Sequence, residues 1–89
     1  SPAYGLLGRA LENSKRPAEA AAAYENASKA AEFEYLKADL LLDAARAYAN
    51  AGEKDKAIAA YRSVMKDYPK SSSKIEAEIR LAELTAGVM

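Results

Sequence analysis

Hydrophobic positions along this chain recur three and four residues apart, and no stretch alternates apolar with polar residues at a period of two. That spacing marks amphipathic helices, and the scarcity of β-branched residues argues against strands. The pattern breaks at Ser14-Lys15-Arg16-Pro17, Ala51-Gly52-Glu53 and Tyr68-Pro69-Lys70-Ser71, and more weakly from Glu32 to Tyr35. Pro2 and Pro17 suit the first turn of a helix, where the missing N–H has no intrahelical partner to lose. Gly52 suits the left-handed position just past a helix end. Ser73-Lys74-Ile75-Glu76 has the S-x-x-E form of a capping box. Five helices are predicted, over 2–14, 17–31, 34–51, 54–68 and 73–86.

The apolar faces use alanine where leucine is usual, 22 alanines in 89 residues. They also repeat. Residues 20–32 read AAAAYENASKAAE and residues 57–69 read AIAAYRSVMKDYP, with tyrosine four positions after the first alanine in both. Sliding the chain against itself by 37 pairs Arg9 with Arg46, Ala10 with Ala47 and Asn13 with Asn50. The same slide pairs Ala20, Ala22, Ala23 and Tyr24 with Ala57, Ala59, Ala60 and Tyr61, and Lys29 with Lys66. Propensity alone does not keep such a phase. Self-similarity at this period signals stacked units that cannot bury their faces alone.

The repeated residues resemble the tetratricopeptide repeat, a helix pair with small and aromatic residues at fixed places. In the second unit Leu41, Ala44, Ala45, Tyr48, Gly52, Ala57, Tyr61, Val64 and Pro69 follow that pattern without a gap. In the first, Tyr4, Leu7, Gly8, Leu11, Ala20, Tyr24 and Ala27 follow it, while Lys15 replaces the turn glycine and Glu32 the closing proline. The usual period is about 34 residues. The longer one here implies three extra residues, assigned to Phe33-Glu34-Tyr35 between the units. The resemblance therefore implies an all-α fold of antiparallel helix-pair repeats, an α-solenoid. Its expected plan is a first repeat at 1–37, a second at 38–71 and a capping helix at 72–89. Gly8, Ala20, Ala45 and Ala57 then mark helix crossings too close for a larger side chain.

The stretch from Ala51 to Tyr61, with Lys66-Asp67-Tyr68-Pro69-Lys70-Ser71, is worded like tetratricopeptide proteins of the bacterial envelope. These include the Sec-translocon ancillary subunit, the Tol–Pal-associated coordinator and outer-membrane assembly lipoproteins. The implied location is the periplasmic side of the envelope, with the cytoplasm as the alternative. The chain begins at Ser1 without an initiator methionine, so a longer parent protein is expected.

Composition removes several kinds of chemistry. Thirteen basic residues balance thirteen acidic ones, which leaves no field to recruit nucleic acid. Histidine and cysteine are absent, so the common nucleophiles, zinc sites and disulfides are absent with them. The longest apolar runs, such as Leu40-Leu41-Leu42, are too short to enter a bilayer as a span. No enzyme, cofactor or metal is expected. A protein or peptide partner is expected instead.

The resemblance implies where such a partner binds: in the concave groove lined by the first helix of each pair. Carried over by position, the groove residues are Arg9, Glu12 and Asn13, then Asp39, Leu42, Arg46 and Asn50, with Pro2, Gly5 and Ala49 beside them. The last helix adds Glu76, Ile79 and Glu83 if it continues the stack. Arg9 with Asn13 and Arg46 with Asn50 share a helix face, and two such pairs suit carboxylates and main-chain amides. Arginine near a helix end equally satisfies local carbonyls or pairs with Glu12 and Asp43. Gly5, Arg9 and Asp43 replace residues that the family's clamp for acidic chaperone tails requires, so that ligand is disfavoured. Two further readings are homo-oligomerisation through open repeat ends and, at lower weight, a small-ligand or metal site at Asp39 and Asp43.

Overall fold

The computed structural model describes residues 16–86, which form four helices: α1 Pro17–Ala30, α2 Glu34–Asn50, α3 Lys54–Asp67 and α4 Ser73–Ala86. The helix expected over 2–14 lies outside the described residues. Each helix packs on the next, and α2 also meets α4. Short connections make sequential neighbours antiparallel, so α2 and α4 run side by side with α3 packed against both. The all-α reading of stacked helix pairs holds.

Local chemistry sets the boundaries. Pro17 opens α1 in its first turn, as expected. At the far end of α1 the buried Ser28 hydroxyl donates to the Lys37 carbonyl at 2.7 Å, which ties the end of α1 to the start of α2. The turn after α2 closes on Gly52 at φ 80. The Gly52 N–H reaches the Ala49 carbonyl at 3.1 Å and the Glu53 N–H reaches the Tyr48 carbonyl at 2.9 Å. These are the two closing bonds of a Schellman motif, which needs a left-handed residue. The space around Gly52 is open, so backbone angle and not crowding demands glycine there. The end of α3 is marked by Tyr68, whose N–H still bonds Val64 at 3.1 Å, and by Pro69, which has no donor to continue.

One expectation changes. The capping box at Ser73 does not form, because α4 already includes Ser73 and both box side chains are engaged elsewhere. The Ser73 hydroxyl donates to the Asp39 carboxylate on α2, and Glu76 accepts from Arg80 at 2.6 Å. A charged acceptor makes the stronger hydrogen bond, and it lies across the helix interface. Of the three residues assigned to the longer period, Phe33 precedes α2 and the other two open it, in keeping with the helix start predicted at 34. Glu34 and Tyr35 lengthen α2, which has 17 residues where each other described helix has 14.

The core is built from small groups. One cluster joins Ala45 of α2 with Ala57, Ala60, Tyr61 and Val64 of α3 and Ala77 of α4, flanked by Leu41, Leu42, Leu81 and Leu84. A second joins Ala20, Ala21 and Tyr24 of α1 with Ala44 and Ala47 of α2. Tyr48 packs against both. Among the described residues the largest fully buried side chains are Tyr24 and Val64, while Leu40, Leu41, Leu42, Leu81 and Leu84 pack partly buried against the two clusters. Alanine at a crossing lets two helix backbones approach closely, and the tyrosine ring fills the space beside it. On α4, Ala77, Leu81 and Leu84 cover the α3 side of the core. Its outer side carries Ile75 and Ile79, 64% and 52% exposed.

Ala57 and Ala20 are fully buried and Ala59 is exposed. Overpacking at a tight crossing costs about 1–3 kcal/mol. Ala57→Leu and Ala20→Leu should each lose that much stability, read as a lower urea midpoint, and Ala59→Leu should leave the midpoint nearly unchanged. Equal midpoints for Ala57→Leu and Ala59→Leu would disprove the crossing assignment.

Candidate functional site

The i, i+3, i+4 and i+7 spacing of Asp39, Leu42, Asp43 and Arg46 places them along one face of α2. Across from them α4 presents Ser73, Glu76 and Arg80, and Tyr61 of α3 forms the floor. These residues, with Ser72 at the rim, enclose an open cleft of about 410 Å3. The hydrogen bond from Ser73 to Asp39 fixes the register of the two helices. Arg46 follows Asp39 by seven residues and Arg80 follows Ser73 by seven. Two turns beyond the bond, both arginines therefore arrive at the same cleft.

Ion pairs hold the guanidinium groups in place. Arg46 lies 3.6 Å from Asp43, with its side chain 43% exposed. Arg80 bonds Glu76 at 2.6 Å and lies 3.5 Å from Glu83. The hydrogen bond to Glu76 raises the Arg80 pKa further above its ordinary value. Burial raises the pKa of the Tyr61 phenol, and the positive charges of Arg80 and Arg46 oppose that rise. The two arginines and the Tyr61 ring thus line one cleft. Exposed pairs of this kind add little to stability, so an incoming carboxylate can displace them.

Of the groove residues expected from sequence, Asp39, Leu42 and Arg46 come together in this cleft, and Glu76 joins them. Asn50 is exposed in the last turn of α2. Arg9, Glu12 and Asn13, with Pro2 and Gly5, lie outside the described residues. Ala49 is corrected: it packs on the α3 core cluster and not into the groove. Ile79 is corrected too, since it sits on the outer side of α4, and Glu83 takes part only through Arg80. The reading missed Arg80, Ser73 and Tyr61. Arg80 carries a signal at an offset of 34 from Arg46, which the 37-residue alignment hides. As for the ligand or metal site, Asp39 accepts from Ser73 and Asp43 pairs with Arg46. Among the described residues no group of three acidic, histidine or cysteine side chains is placed to hold a metal ion.

Comparison with family models gives two matches, both to the tetratricopeptide repeat, over residues 1–34 and 39–71. The chain belongs to the tetratricopeptide repeat family. No curated protein and no solved structure matches it. The stretch between the two matched repeats, 35–38, falls on the first turns of α2, where the added residues extend the helix. Neither match points to a particular envelope protein.

Behind the groove, one residue of the second repeat joins three helices. The Tyr48 hydroxyl donates to Glu25 of α1, and the Lys56 ammonium of α3 lies 5.7 Å from the centre of its ring. Burial, followed by the hydrogen bond to Glu25, pushes the Tyr48 phenol from 10.0 up to about 12. Tyr61 and Tyr68 are raised as well, both chiefly by burial. The folded chain thus holds these phenols neutral more firmly than the unfolded chain does. Their contribution is complete below the unfolded value and is lost as pH rises from about 10 toward 12. Melting temperature should fall over that window, and Tyr48→Phe, which has no proton to lose there, should make the fall shallower. An identical alkaline profile for wild type and Tyr48→Phe would contradict the assignment.

Proposed function

We propose that this chain is a protein-interaction scaffold that holds a peptide or helical segment in the concave groove between α2 and α4. Tetratricopeptide repeats are in general protein–protein interaction modules and are typically non-catalytic scaffolds. The observation that carries the reading is the convergence of Arg46 and Arg80 on one cleft that Leu42 and Tyr61 also line. Arginine forks suit carboxylates bidentately, Leu42 offers an apolar contact, and Asp39 and Glu76 suit a basic group. Arg9 belongs to the same position one repeat earlier and extends the proposal along the stack. The wording of residues 51–61 supports a place on the periplasmic side of a bacterial envelope. Among the described residues no helix is long and apolar enough to cross a membrane.

A second reading, self-association through an open repeat end, is favoured by the exposed Ile75 and Ile79 on the outer side of α4. Molar mass across a concentration range separates the two, because a scaffold for another protein stays monomeric.

A photo-crosslinking residue at Leu42 should capture a partner in extracts of the source cells, and the same residue at the exposed Ala59 should not. Arg46→Ala with Arg80→Ala should weaken that capture and reduce its sensitivity to salt, because interfacial charge-assisted bonds typically cost well over about 1 kcal/mol to lose. Equal capture at Leu42 and Ala59, or capture indifferent to the arginines, would refute the groove.

A further inference from the structure

Phe33 is the N-cap of α2, yet its side chain makes no capping bond. Serine, threonine, aspartate and asparagine are preferred at such a position because each can satisfy an orphan N–H. Phe33 contributes nothing of that kind. It is 56% exposed and takes no part in either core cluster. Its ring stacks on Tyr35, itself 61% exposed, at 5.8 Å with 24° between the planes. A local rule broken without a structural return points to use by a partner. Both residues lie at the junction of the two repeats, Phe33 near the end of the first match and Tyr35 just past it.

Helix geometry says where this pair lies relative to the groove. Tyr35, Asp39, Leu42 and Arg46 stand at i, i+4, i+7 and i+11 of α2, so they share one stripe. The aromatic pair therefore continues the groove face one turn beyond Asp39. Along that face the order of chemistry is ring pair, carboxylates of Asp39 and Glu76, then the guanidinium groups of Arg46 and Arg80. From Tyr35 to Arg46 is about 16 Å along the helix axis. An extended strand covers that in about five residues.

We infer that Phe33 and Tyr35 form an aromatic subsite at the end of the groove. The partner it selects is an extended segment with an aromatic or proline ring, a basic residue, and a carboxylate about five positions from the ring. This rests on the groove reading and deepens it. Apolar contact on the ring pair supplies the attraction, and the charges set direction, because the reversed segment would lay its carboxylate against Asp39 and Glu76. The residues at the repeat junction thus become a specificity element of the second repeat.

The test uses the intact chain and two amidated, acetylated hexapeptides. One carries tryptophan first, lysine third and aspartate sixth among serines, and the other has alanine in place of tryptophan. An aromatic contact worth about 0.5–1.5 kcal/mol predicts a roughly two- to thirteenfold tighter Kd for the tryptophan peptide. Phe33→Ser combined with Tyr35→Ser should collapse that difference. Serine is a good N-cap, so the variant should melt at the same temperature or higher, which separates lost binding from lost fold. If the two peptides bind the wild type equally, or the preference persists in the variant, the aromatic subsite is overturned while the groove reading stands. If neither peptide binds, both are overturned.

Discussion

How closely α3 can approach α2 is decided by the methyl groups of Ala45 and Ala57, and the rest of the structure follows from that distance. Helices with leucine at a crossing stand farther apart than helices with alanine, and the difference accumulates along a stack. With alanine there, little apolar area is buried per residue. The tyrosines supply the missing bulk: Tyr24 and Tyr61 fill the gaps beside the crossings and Tyr48 spans both clusters. Such a core is thin. It suits a chain in which each helix pair depends on its neighbours more than on itself.

Polar contacts set the register that alanine leaves loose, since a smooth small-residue surface resists sliding poorly. Ser28 fixes α1 to α2, Tyr48 fixes α1 to α2 through Glu25, and Ser73 fixes α2 to α4. Each bond joins two elements, and among the described residues no buried side-chain nitrogen or oxygen lacks a partner. The Ser73–Asp39 bond has a functional consequence. It sets Arg46 and Arg80 level in the cleft, so a structural hydrogen bond positions the groups proposed to meet a partner.

The repeat phase made most of the fold legible. Alanine and tyrosine recur where the helices cross, and Pro17, Gly52 and Pro69 mark ends by backbone chemistry that acts locally. The helix bounds agree to within a residue for that reason. Ser73 was misread because a capping box is a local pattern, while its hydroxyl is claimed by a carboxylate 34 positions away. Arg80 was missed because the spacing shortens between the second repeat and α4, which moves its partner out of the alignment. Ala49 and Ile79 were placed in the groove by analogy with neighbouring positions, but small rotations about a helix axis carry one inward and the other outward. The aromatic pair gave no repeat signal, because at an offset of 37 Phe33 and Tyr35 meet Lys70 and Ser72.

Helix spacing at the alanine crossings sets the groove's shape, and a distance measurement tests that directly. Spin labels at Asn50 of α2 and Glu83 of α4, both exposed, report the spread of the groove by double electron–electron resonance. The wild-type frame should give one narrow distribution. Adding Ala57→Leu, at a temperature where the helical signal shows the chain folded, should shift or broaden it as α3 is pushed from its neighbours. An unchanged distribution in the folded Ala57→Leu chain would contradict the claim that these alanines set the geometry.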